Sequence, residues 1–189
     1  MRKILIINGH PRKDSFCYYL SRKYLEGVRS NGEDALLIDL YKLNLNYLSL
    51  DKKIFSEKEI IKIQRAIYFS DFIVFIYPIW WGSMPALLKG FFDVVFTSGF
   101  AYKYDKKGNV KQLLKGKKAR IISTAGSPFL YVVLHKVLLT GSIVYPTLKF
   151  CGFSSVKSTI FHSIRKNLSK KRAEKIAKKV FYLGKRDSS

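Results

Sequence analysis

The chain has 189 residues, of which 48% are hydrophobic, enough for one domain with a substantial core and too apolar for a disordered chain. Its 35 Lys and Arg against 13 Asp and Glu give a formal net charge of +22, a field that attracts phosphates, nucleic acids and anionic lipid surfaces. With only Cys17 and Cys151, no run of roughly 20 unbroken apolar residues and no secretory cleavage pattern after Met1, the chain excludes a disulfide framework, a metal-ligand cluster and membrane insertion, so a cytoplasmic protein is expected.

Lys3 to Ile7 is an apolar, β-rich pentamer and reads as a strand buried on both faces. The loop Asn8 to Ser15 follows, and Ser15 is placed to cap a helix carrying Leu20, Tyr24 and Val28. A strand, a short loop and a helix start form a ready anion site, because free N–H groups and the helix dipole both favour a phosphate. Neither G-x-G-x-x-G nor a Walker A pattern is present, so the usual dinucleotide and P-loop readings fail. Asn31-Gly32 is a turn, and Asp34 to Leu40 reads as a second strand. Ser56 and Glu59 form a capping box for a helix whose face is Ile60, Ile63 and Ile67.

Phe72 to Ile76 is a third buried strand. Tyr77-Pro78-Ile79-Trp80-Trp81-Gly82 breaks it, and Ser83 with Pro85 is placed to start the next helix. Ligands of open parallel sheets bind outside the carboxyl ends of the strands, and adjacent tryptophans there suit a flat aromatic molecule. They equally suit plugs for the sheet edge. Leu87, Leu88, Phe91, Val94 and Val95 keep helical spacing. Asp105-Lys-Lys-Gly-Asn is a turn between extended arms that carry Tyr102 and Tyr104. Ala119 to Ser123 is a fourth strand, with Thr124-Ala125-Gly126-Ser127 at its end. Ser158 to Phe161 is a fifth, closed by His162, read as a surface histidine. Ser169 caps a final amphipathic helix with a basic outer face, expected to be a solvated lysine-rich surface.

Tyr77-Pro-Ile-Trp-Trp-Gly-Ser-Met-Pro-Ala-Leu-Leu-Lys-Gly-Phe-Phe-Asp, followed by Gly99-Phe-Ala-Tyr-Lys-Tyr104, resembles the NAD(P)H:quinone oxidoreductase family. His10 followed by Ser15 and Phe16 resembles the family's phosphate loop, with Cys17 where the family usually has asparagine. Thr124 to Ser127 stands where the family has Thr-Thr-Gly-Gly, with Ala125 and Ser127 as departures; Ser127 restricts the backbone more than glycine would. Asp39-Leu-Tyr and Phe150-Cys-Gly-Phe153 match further segments, so the resemblance spans nearly the whole chain. It implies an α/β flavodoxin-like three-layer sandwich: one domain, residues 1–189, around a five-stranded parallel sheet of order 2-1-3-4-5.

The resemblance also implies ping-pong hydride transfer from NAD(P)H through a flavin, FAD or FMN, to a quinone or similar small electron acceptor. His10, Ser15, Phe16 and Cys17 would hold the phosphate arm. Pro78, Ile79, Trp80, Trp81 and Gly82 with Thr124, Ala125, Gly126 and Ser127 would frame the ring. Tyr102 and Tyr104 would line the acceptor pocket, and Tyr131 with His135, one helical turn on, would supply a hydrogen bond or proton. A homodimer through the helix after the tryptophans is implied, with Phe91 and Phe92 giving that helix surplus apolar surface. Three other readings stay open: a flavodoxin-type electron carrier, an ancillary regulatory subunit of a potassium efflux system, and a nucleic-acid-binding module using the basic face. No specific nucleic-acid motif supports the last.

Overall fold

In the computed structural model, which describes residues 3–43 and 57–189, the apolar runs form one parallel sheet. Its strands are β1 (Ile4–Asn8), β2 (Ala35–Asp39), β3 (Phe72–Pro78), β6 (Lys118–Thr124) and β7 (Ser155–Phe161). The order is β2-β1-β3-β6-β7, which is 2-1-3-4-5 when only the sheet's own strands are counted. β1 and β3 are buried along their whole length, because helices cover both faces. A separate hairpin, β4 (Tyr102–Tyr104) with β5 (Val110–Gln112), turns at Asp105, whose carboxylate accepts from the N–H groups of Lys107 and Asn109.

On one face lie α1 (Phe16–Arg29) and α6 (Lys170–Ser188). Leu20, Tyr24 and Val28 pack with Ile176, Val180 and Leu183 on the even-numbered side chains of β1 and β3. Both N-terminal serines cap as expected: Ser15 accepts from the Tyr18 N–H and Ser169 from the Arg172 N–H. On the other face lie α2 (Glu57–Phe69), α3 (Ala86–Val95), α4 (Phe129–Leu134), α5 (Lys136–Ile143) and a π-helical turn, Val144–Lys149. The expected capping box falls on Ser56, outside the described residues.

Two expectations about α3 are corrected. Ser83 does not cap it; its N–H donates to the Trp80 carbonyl and Pro85 takes the capping position. Phe91 and Phe92 offer no surplus surface, since both are buried in the chain's own core against Phe75 and Phe96. A contiguous exposed apolar stripe lies instead on α4 and α5. Leu130, Val133, Leu134, Val137 and Leu138 follow helical spacing outward. Among the described residues, no helix is long and apolar enough to cross a membrane.

Candidate flavin site

Three loops meet at the carboxyl edge of β1, β3 and β6. The first joins β1 to α1. Gly9 donates its N–H to the Ile76 carbonyl at 2.8 Å, and a Cβ there would press on Leu88 and Tyr77 at 3.1 and 3.3 Å. Asn8 accepts from the His10 N–H and donates to Asp39, which also pairs with Arg22 at 2.7 Å. His10 Nδ1 accepts the Arg12 N–H at 3.0 Å, which fixes the proton of the neutral ring on Nε2. Burial, with the neighbouring Arg12 charge, lowers the His10 pKa to about 4, so the ring is neutral at physiological pH. The α1 bonds begin with the Tyr18 and Tyr19 N–H groups on Ser15, and among the described residues none takes those of Phe16 and Cys17, which are open to an external acceptor.

The second loop carries Pro78 to Gly82. Trp80 and Ser83 exchange backbone bonds at 2.9 and 3.0 Å, and between them Trp81 and Gly82 have φ of 50° and 76°. Positive φ at both central positions is the signature of a tight type I′ turn, in which a bulky residue is strained. Trp81 is fully exposed at the tip, while Trp80 is 43% exposed and lies 5.4 Å from the His10 ring, edge to face. Neither indole plugs the core. Ser83 Oγ lies 3.4 Å from Ser142 Oγ, which ties this turn to α5.

The third loop is Thr124 to Ser127. Ile79 donates its N–H to the Thr124 carbonyl at 2.8 Å, so the second and third loops are joined directly. The loop is braced from β7: Ala125 donates to the Phe161 carbonyl, and Ile164 and Ser163 donate back to Ala125 and Ser127. Arg165 Nε adds a bond to the Gly126 carbonyl at 3.3 Å. Among the described residues no backbone partner takes the N–H of Gly126 or Ser127, and both can meet a polar ring edge. Ser127 fits without strain, since the strained φ in this region, 52°, belongs to Ser163. The brace was invisible in sequence, because its halves lie 36 residues apart and each is an ordinary polar loop.

The Cys17 thiol turns away from the phosphate loop, although the residue's N–H stays at the α1 start. Its side chain is buried, and its Sγ lies 3.5 Å from Thr124 Oγ1, beneath the third loop. Tyr131 and His135 lie where their spacing placed them, stacked at 4.2 Å on the outer side of the α4–α5 junction, with His135 Nδ1 3.0 Å from the Tyr131 carbonyl. Tyr102 and Tyr104 are not brought to these loops. Their hairpin packs through the Tyr102–Phe150 ring contact beside the turn that leads into β7, at the amino edge of the sheet. A cavity of about 410 Å³ opens there, lined by Phe92, Phe96, Tyr102, Phe150 and the Lys89–Asp93 ion pair.

A parallel sheet of this order, with an anion-ready helix start and an exposed aromatic turn at its carboxyl edge, defines a doubly wound α/β ligand-binding protein. The chain belongs to the family described as flavodoxin-like fold, which matches residues 2–182. It is 26% identical to NAD(P)H dehydrogenase (quinone) 1 of Rattus norvegicus, over 87% of this chain and 70% of that protein. It is 28% identical to the FMN-dependent NADH:quinone oxidoreductase of Coprothermobacter proteolyticus, over 94% of this chain and 99% of that protein. Among solved structures it resembles Smu.1420 of Streptococcus mutans, with 31% identity, a TM-score of 0.80, and 97% and 99% of the two chains covered.

Proposed function

We propose that residues 1–189 form one flavodoxin-like unit that binds a flavin and acts in the cytoplasm as an NAD(P)H oxidoreductase on quinones or similar small acceptors. The observation that carries this reading is the meeting of three features at one sheet edge: the α1 start, the exposed tryptophan turn and the Thr124–Ser127 loop. The N–H groups left open at the α1 start and in the Thr124–Ser127 loop, beside an exposed aromatic turn, support this reading. The assignment of FMN rests on the relative of matching length, which is named FMN-dependent.

The N–H groups of Phe16 and Cys17 would bind the phosphate, with the helix dipole favouring its charge. His10, neutral, would act there as a hydrogen-bond group and a support for Trp80, not as a counter-ion. The Gly126 and Ser127 N–H groups would meet the polar ring edge, and Trp80 and Trp81 would shield the ring from water. When bound, the flavin supplies the hydride chemistry. Tyr131 would donate a hydrogen bond to negative charge that develops near the ring, with His135 stacked behind it to hold the phenol in place.

The exposed stripe on α4 and α5 supports a homodimer in which a second copy covers it and completes the open side of the cradle. Such a partner is also the source from which Tyr102 and Tyr104 could reach a pocket.

Reconstitution with FMN, followed by NADH and NADPH oxidation with and without a quinone, tests the activity. Acceptor-dependent turnover with one donor supports it. A reconstituted, flavin-bound protein that oxidises neither donor would reject it.

A further inference from the structure

The strongest unassigned group is Cys17. It occupies the second position of α1, yet its thiol belongs to the third loop and not to the phosphate loop. Thr124 is the residue at which three segments of the cradle join. Its carbonyl accepts the Ile79 N–H from the tryptophan loop at 2.8 Å, and its hydroxyl lies 3.5 Å from Cys17 Sγ of α1. Both side chains are buried. Among the described residues Cys17 is the hydroxyl's only hydrogen-bond partner.

We infer that Cys17 is a positioning residue: its thiol donates to Thr124 Oγ1, which leaves the threonine's own O–H proton for an acceptor atom of the bound flavin. This rests on the reading of Thr124 to Ser127 as a flavin-ring loop. A thiol is a weak donor and its sulfur a weak acceptor, whereas a threonine hydroxyl carries one proton and two lone pairs on oxygen. A hydroxyl that spends its proton on sulfur has only lone pairs to offer a ligand. One that accepts a hydrogen bond from the thiol keeps its own proton to donate. Burial pushes the Cys17 thiol up to about 12, so it holds its proton at any physiological pH. An asparagine side chain, being larger and carrying two N–H donors, would make a different contact at this position.

The direction of the bond can be read without flavin. The infrared S–H stretching bands of the apo-protein report Cys17 and Cys151, and Cys151→Ser isolates the former. The Cys17 band lies below that of an unbonded thiol and rises in Thr124→Val. A Cys17 band that does not respond to Thr124→Val overturns the donor assignment.

The consequence for binding is read from FMN dissociation constants in a double-mutant cycle. Cys17→Ala raises the constant by roughly 5–10-fold, and Cys17→Ser, which keeps a donor, recovers most of that loss. In the Thr124→Val background Cys17→Ala changes it less than about twofold, because the hydroxyl it served is gone. An equal effect in both backgrounds, or a serine variant as weak as the alanine one, means that Cys17 is packing alone and overturns the inference. If Cys17→Ala fails to fold, Cys17→Val, which fills the site without a donor, replaces it. Wild-type protein that binds neither FMN nor FAD removes the flavin reading itself, and the inference with it.

Discussion

The two faces of the sheet are finished to different degrees. On the α1–α6 face the helices approach so closely that a Cβ on Gly27 would lie 2.0 Å from the Phe181 carbonyl oxygen, and one on Gly184 would lie 2.2 Å from that of Tyr24. Beneath them Arg120 and Asp187 form a buried ion pair, joined by the Tyr24 hydroxyl at 2.8 Å from Asp187. On the opposite face α4 and α5 turn Leu130, Val133, Leu134, Val137 and Leu138 outward, each between 52% and 72% exposed. The closed face is complete within one chain. The open face carries Tyr131 and His135 and sits beside the tryptophan turn, where a ligand and a partner have something left to bury.

This contrast can be broken from either side. The largest effect is expected at the buried pair. Asp187→Ala leaves Arg120 charged and unpaired in the core and should cost about 3–5 kcal/mol in urea unfolding. A loss near that of a surface ion pair, about 0–1 kcal/mol, would show that the closed face is held by packing instead. Gly184→Ala follows at about 3 kcal/mol, since backbone must move to admit the methyl group. A silent substitution there would mean that the helices part easily.

At the edge between the faces lies His10, whose pKa is about 4 in the folded chain against an ordinary value of 6.5. Between those values the unfolded state binds more protons, so stability is fully present above pH 6.5 and falls as pH drops toward 4. The loss stays below about 3.4 kcal/mol, because solvent screens a ring in a loop, and should shrink in His10→Asn when unfolding is compared at the two ends of that window. On the open face, Tyr131→Phe should slow reduction of the bound flavin roughly 5–30-fold, about 1–2 kcal/mol, with flavin affinity nearly unchanged. Equal stopped-flow rates would make Tyr131 structural. The smallest stability effect belongs to Leu134→Glu, within about 0.5 kcal/mol for a single chain. The same substitution should convert a dimer to a monomer in sedimentation. A wild-type monomer, or a dimer that ignores the change, would leave the open face to the ligand alone.

Local signals carried the framework. Buried strands are legible because they are short, continuous apolar runs, and the caps at Ser15 and Ser169 because the motif lies within four residues. The i, i+4 pair Tyr131 and His135 was legible for the same reason. Phe91 and Phe92 misled because periodicity gives a helix its faces but not the depth of the core around it. Ser83 misled because the tight turn with two positive φ angles delays the helix start to Ala86, too far along for the Ser83 hydroxyl, which faces Ser142 instead, and a tryptophan in that turn conformation has no sequence signature. The Cys17–Thr124 contact spans 107 residues and the Arg120–Asp187 pair spans 67, distances over which the sequence holds no periodic cue.

The chain's two tryptophans, Trp80 and Trp81, both lie in the tryptophan turn, so intrinsic tryptophan emission reports on the candidate site alone. Titrating the apo-protein with FMN while following that emission together with the flavin's visible spectrum tests the central claim most directly. The account predicts saturable quenching at one flavin per chain and a perturbed flavin band, both weakened in Trp81→Ala. Unchanged emission and a free-flavin spectrum, with FAD in place of FMN giving the same result, would contradict it.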